Sequence, residues 1–161
     1  MFTKIKEGRF TVKYPNDWWV FEGLPDLGSP YSDAQGIADV SLGAPGSVGA
    51  GDVDVYADVI AENILEKSIS TFKEDALNAA FAGAANFPTD ESNVVVDGQA
   101  GVKVIVRETF RDADGTPDQV SRSGIFIVKN RRIFTLEGNI LLNSPETQKA
   151  DQILSTFRFL D

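Results

Sequence analysis

The chain has 161 residues, no cysteine, no histidine and a formal net charge of −9 from 24 acidic against 15 basic side chains. A chain of that length makes one domain, long enough to bury about two-thirds of its unfolded surface. The missing residue types exclude disulfides, thiolate and imidazole metal sites, cysteine nucleophiles and the commonest catalytic base.

The acidic balance argues against nucleic acid and anionic lipid headgroups as partners. No apolar run approaches the roughly 18 residues a membrane span needs, so no direct membrane insertion is expected. Residues 1–7 are too short and polar for a signal peptide; an exported form would carry one upstream.

Phe10, Val12 and Tyr14 alternate with Thr11 and Lys13, which predicts a strand with one buried face. Pro15-Asn16-Asp17 is turn chemistry, and the run from Trp18 to Phe21 then returns as a second strand, forming a hairpin. Alternation puts Trp18 and Val20 on one face and Trp19 and Phe21 on the other. Residues 24–36, with two prolines, read as a loop long enough to suggest a functional role. Ile37, Val40 and Leu42 make a third strand, and residues 44–51 a small-residue connection.

Residues 52–68 carry two competing patterns. Val53, Val55, Ala57 and Val59 alternate as in a strand, whereas Tyr56, Val59, Ile60, Asn63, Ile64 and Lys67 follow helical spacing. Residues 61–67 are strong helix formers, and Asp52 is a fair N-cap with Asp54 and Asp58 near the dipole's positive end. The balance predicts a helix over 53–68. A second one follows from the capping box Thr71-x-x-Glu74, with Phe72, Ala76, Ala79 and Ala80 on one face, and ends near Gly83.

The chain then turns to sheet. Residues 94–96, 102–110, 120–128 and 132–142 are β-branched or aromatic runs, separated by Asp97-Gly98, residues 112–118 and Lys129-Asn130-Arg131. Such short connections require antiparallel pairing. Ser144-Pro145-Glu146 opens a last helix as N-cap, N1 proline and first-turn acid, with Ala150, Ile153, Leu154 and Phe157 as its apolar stripe.

The order and motifs carry a resemblance: Tyr14-Pro15-x-x-Trp18, the turn from Val96 to Ala100, Arg132-Ile133-Phe134-Thr135-Leu136, and Ser155-x-Phe157. Over nearly its whole length the chain resembles the Mog1/PsbP-like domains. The resemblance implies an α+β fold, an antiparallel sheet of about six to seven strands flanked by helices as an α/β/α sandwich. It also implies action by binding: PsbP docks on a membrane complex and helps retain calcium and chloride, and Mog1 binds a GTPase. The histidines that plant PsbP uses for metal contact have no counterpart here, and only residues 1–8 precede the first strand, where PsbP has a docking arm. The likeness therefore implies the fold and a protein-binding role, not a photosynthetic one. It further implies an extracellular or cell-envelope location, with the cytoplasm as the alternative.

No nucleophile–base pair can be assembled without His or Cys, and the carboxylates are scattered, so an enzyme is not expected. The alternative to a protein-binding module is a small-ligand or calcium-binding domain using the Asp112–Asp118 hairpin or a cleft near Trp19. Asp112, Asp114 and Asp118 around Gly115 have the carboxylate density that calcium favours. They lack the closing glutamate of an EF-hand and equally describe an acidic hairpin tip. No other cofactor is expected. For a partner, the candidate residues are Trp19, Tyr31 and Arg131: Trp19 because it must oppose Trp18, Tyr31 in the long loop, and Arg131 in a basic turn with Lys129 and Arg132.

Overall fold

Two left-handed turns set the frame of the main sheet. At Asp97-Gly98 the backbone takes φ of 48° and 79°, the positive pair that a two-residue hairpin loop demands. Asn130 takes φ of 50° at the start of a second such loop. Asp, Asn and Gly tolerate this region, so both turns were written into the local sequence.

The computed structural model describes residues 2–5, 9–23, 34–45, 52–60, 89–111, 113–115, 117–130, 132–141 and 146–160. Along the chain these form β1 (Phe2–Ile5), β2 (Phe10–Lys13), β3 (Trp19–Gly23), β4 (Ala34–Gly43) and β5 (Asp52–Ile60). They continue as β6 (Thr89–Val96), β7 (Gln99–Arg111), β8 (Pro117–Lys129), β9 (Arg132–Leu141), helix α1 (Glu146–Ser155) and β10 (Arg158–Phe159). All pairing is antiparallel. A three-stranded sheet has the order β1-β2-β10, and a seven-stranded sheet the order β3-β4-β5-β9-β8-β7-β6.

One face of the large sheet presents Val40, Leu42, Ile125, Ile127, Phe134 and Leu136 to the core. Ala150, Ile153 and Leu154 of α1 close over it, joined by Phe10, Val12, Trp18 and Phe157. Each of the valine, leucine, isoleucine and phenylalanine side chains contributes roughly 1.5–3 kcal/mol by leaving water. Four phenylalanines form its centre: Phe157 stacks on Phe10 with centroids 5.5 Å apart, and its ring edge meets Phe134 and Phe159 at 5.8 and 5.0 Å. On the opposite face Val104, Val106, Phe126, Ile133 and Thr135 are buried too. The sheet is thus covered on both faces at its middle.

The last helix ends as its sequence directs. Thr156 N–H and Phe157 N–H donate to the carbonyls of Ile153 and Leu154 at 3.0 and 3.2 Å, tightening the final turn. Thr156 Oγ1 donates to the same Ile153 carbonyl, while Ser155 Oγ and the Arg158 guanidinium satisfy those of Gln152, Ser155 and Phe157. Phe157 therefore keeps the helix stripe although it lies beyond the helix.

Four expectations need correction. The helix over 53–68 does not form at its start: residues 52–60 are strand β5, paired with both β4 and β9. Alternating Val53, Val55, Ala57 and Val59 suit an interior strand, and two ladders of non-local hydrogen bonds outweigh local helix propensity. Asp52, Asp54 and Asp58 consequently stand on a strand and cap no helix.

Next, β2 and β3 are not a hairpin pair. The turn closed by the Trp18 N–H to the Pro15 carbonyl, 3.1 Å, passes the chain from the small sheet to the large one. Trp18 precedes β3, so alternation no longer ties it to Val20, which is exposed.

The strands also divide between two sheets where one was expected, and β1 and β10 are additions. The expected loop over 24–36 is strand from Ala34 onward, and the bulge at Gly36/Ala38 leaves Ile37 without a partner on β5. That bulge absorbs the change of parity between Ile37 and Val40.

Among the described residues α1 is the helix; the second expected helix, over 71–83, lies outside them, as does the Ser144-Pro145 cap.

Candidate functional site

The seven-stranded sheet presents β3 at one edge, and β3 opens with an apolar run. Trp19 is 44% exposed, Val20 37% and Phe21 59%, whereas Trp18 is 4% exposed. Trp19 lies opposite Gly43 of β4 in the strand register. Its indole occupies the space a Cβ at Gly43 would need, colliding at Cε2, Cζ2 and Nε1. The glycine thus lets an aromatic ring lie flat on the neighbouring strand. Trp18 points the other way, into the core, and no hydrogen-bond acceptor among the described residues meets its Nε1.

The other residues singled out by sequence fall unevenly. Tyr31, Arg131 and Asp112 lie outside the described residues. Asp114 is exposed in the tip between β7 and β8, followed by Gly115 at φ 83°. Asp118 pairs with Phe110 in the ladder and is described in its backbone alone. No described geometry therefore brings the three carboxylates together.

Beside Arg131 the structure assembles something the sequence did not announce. Lys129 and Arg132 stand directly opposite each other at the end of the β8–β9 hairpin. Arg9, from the connection between β1 and β2, joins them around a small cleft of about 20 Å³ floored by Phe134 and Phe159. Arg9 has φ of 58°, and its carbonyl accepts the Leu160 N–H at 2.7 Å. Lys129 Nζ sits 4.3 Å from the centre of the Phe159 ring, a cation–π distance. Arg132 Nε is enclosed and has no hydrogen-bond partner among the described residues. Burial lowers the pKa of the Arg132 guanidinium, and the charge of Arg9 lowers it further. Arg9 was missed because no local pattern links it to a hairpin that follows so much later in the chain.

No family model matches the chain, and no curated protein matches it in sequence. Solved structures do. Cyanobacterial PsbP (CyanoP) from Synechocystis superposes with a TM-score of 0.63 at 12% identity, covering 99% of this chain and 91% of its own. The chain has a PsbP-like fold. LpqN, involved in cell envelope biogenesis of Mycobacterium tuberculosis, matches with a TM-score of 0.54 at 13% identity, over 94% of this chain and 83% of LpqN. A Bacteroides thetaiotaomicron structure matches with a TM-score of 0.60 at 13% identity; 99% of this chain is covered, but it spans about half, 48%, of that protein. At such identities these PsbP-like structures share an architecture with this chain. No helix among its described residues is long and apolar enough to cross a membrane.

Proposed function

We propose that this PsbP-like chain is a non-enzymatic binding or accessory module that docks a partner protein on the β3 edge of its large sheet. The observation that carries this reading is the run Trp19, Val20 and Phe21, exposed together on an edge strand. Apolar edges invite strand pairing, and proteins usually blunt them with charge or proline. Here the edge carries aromatic residues of the kind that anchor interfaces. Trp19 is preorganised, because its ring already rests on Gly43 and loses little freedom on docking. An added partner strand can satisfy the outer backbone of β3 while Trp19 and Phe21 supply side-chain contacts.

The absence of histidine and cysteine supports a non-enzymatic role. Likeness in fold to LpqN, a protein of cell envelope biogenesis, supports an envelope location. Affinity capture from envelope extracts, run with the wild type and with a Trp19→Ser/Phe21→Ser variant, tests the reading. A defined partner should be retained by the wild type and lost by the variant at a temperature where both remain folded. Equal recovery by both, or turnover in an unbiased substrate screen, overturns it.

A further inference from the structure

Far from the aromatic edge, at the other end of β9, a second surface carries a charge arrangement that folding alone does not favour. Like charges directly across a strand pair are destabilising, yet Lys129 and Arg132 are partners in the β8–β9 register. A third cation, Arg9, is brought to the same cleft from the three-stranded sheet's side of the molecule. No carboxylate among the described residues pairs with Arg9 or Arg132, in a protein that has 24 acidic side chains against 15 basic ones.

A basic hairpin end is ordinarily a solvated one, with each charge spread into water. This one differs in two respects. Arg132 Nε is buried beside the cleft with no hydrogen-bond partner among the described residues, so one donor is held desolvated there. The Arg9 backbone is also held: its left-handed conformation is pinned by the Leu160 N–H. Non-glycine residues in that region are strained and are kept where surrounding structure over-determines them. Desolvation of Arg132 and its repulsion by Arg9 are both relieved by a negative charge in the cleft.

We propose that Arg9, Lys129 and Arg132 form a small oxyanion-binding site that takes the carboxylate or phosphate end group of a ligand. The planar guanidinium of Arg132 suits paired oxygens, and Lys129 adds a point charge held over the Phe159 ring. The aromatic floor excludes water from one side and so strengthens each contact. The site is independent of the β3 edge and of whatever binds there.

Inorganic phosphate and succinate, each titrated against chloride at equal ionic strength and followed by amide chemical shifts, test the proposal. Saturable shifts are expected at Arg9, Asn130, Arg132 and Leu160 with at least one of the two probes, and which probe saturates identifies the preferred end group. Arg132→Gln and Arg9→Gln should each weaken that binding at least tenfold. In chloride alone both variants should melt no lower than the wild type, because each removes a like charge. Shifts that stay linear with both probes, or titrations unchanged in both variants, overturn the site. A fall in melting temperature for both variants in chloride, without saturable binding, assigns the cluster a structural role and overturns it as well.

Discussion

The carboxylate of Asp97 accepts the backbone N–H of Phe159 at 2.9 Å, tying the β6–β7 turn to the strand that completes the other sheet. The same carboxylate lies 3.7 Å from Arg158 Nε, a partly exposed pair that adds little. Asp97 also holds φ of 48°, so one residue serves the turn and the contact. Asp97→Ala should cost about 1.5–3 kcal/mol in denaturant unfolding, the range for a hydrogen bond to a charged group. Asp97→Asn keeps an acceptor and tolerates the left-handed backbone, so it should cost clearly less. Equal losses for the two variants would mean that the link to Phe159 contributes nothing.

Phe157 is fully buried and touches Phe10, Phe134 and Phe159. Phe157→Ala should destabilise the fold by about 3–5 kcal/mol, as large cavities in aromatic cores do. A loss below about 1 kcal/mol in the same unfolding experiment would contradict the packing of this cluster.

Trp18 and Trp19 are adjacent in sequence and opposite in environment, 4% against 44% exposed. Trp18→Ala should cost about 3–5 kcal/mol, and Trp19→Ala no more than about half of that. Paired melting curves of the two variants check the contrast. Losses of equal size would show that Trp19 is as much a core residue as its neighbour.

A methyl group at Gly43 would meet the Trp19 indole. Gly43→Ala should therefore destabilise by about 1–3 kcal/mol, the usual penalty for overpacking. In the Trp19→Ala background the same change should be nearly neutral. A double-mutant cycle measures this coupling, and additivity would rule out the close approach.

Asp114 lies in an exposed tip with a left-handed glycine beside it, an arrangement that turn geometry alone accounts for. Millimolar calcium is expected to leave the melting temperature unmoved. A saturable rise that disappears in Asp114→Asn would instead make residues 112–118 a calcium site.

The parts legible in the sequence are those governed by short-range chemistry. Asp97-Gly98 and Asn130 announce their turns, and with them the order of β6 to β9. The stripe Ala150, Ile153, Leu154 and Phe157 packs in the core as its spacing predicts. What stayed hidden depends on partners far along the chain. β5 reads locally as a helix start, and only β4 and β9 on either side make it a strand. Pro15 to Trp18 reads as a hairpin turn, and nothing in those residues says that the flanking strands join different sheets. Of the candidate surfaces, Trp19 stood out as an aromatic beside Trp18, but its exposure reflects its place at the start of edge strand β3 and not alternation with Trp18. Arg9 meets Lys129 and Arg132 only once β10 has docked beside β2.

That docking has a kinetic meaning. β2 is the middle strand of its sheet, with β1 on one side and β10 on the other. Thr156 Oγ1 receives the Lys13 N–H at 2.8 Å across 143 positions of sequence. One edge of β2 therefore waits, with Phe10 uncovered, until nearly all of the chain has been synthesised. Closing so long a loop is an entropic barrier that local turns cannot lower. The β6–β9 meander and the β1–β2 pair can form from local contacts, whereas β10 can join β2 only after the intervening chain has been made.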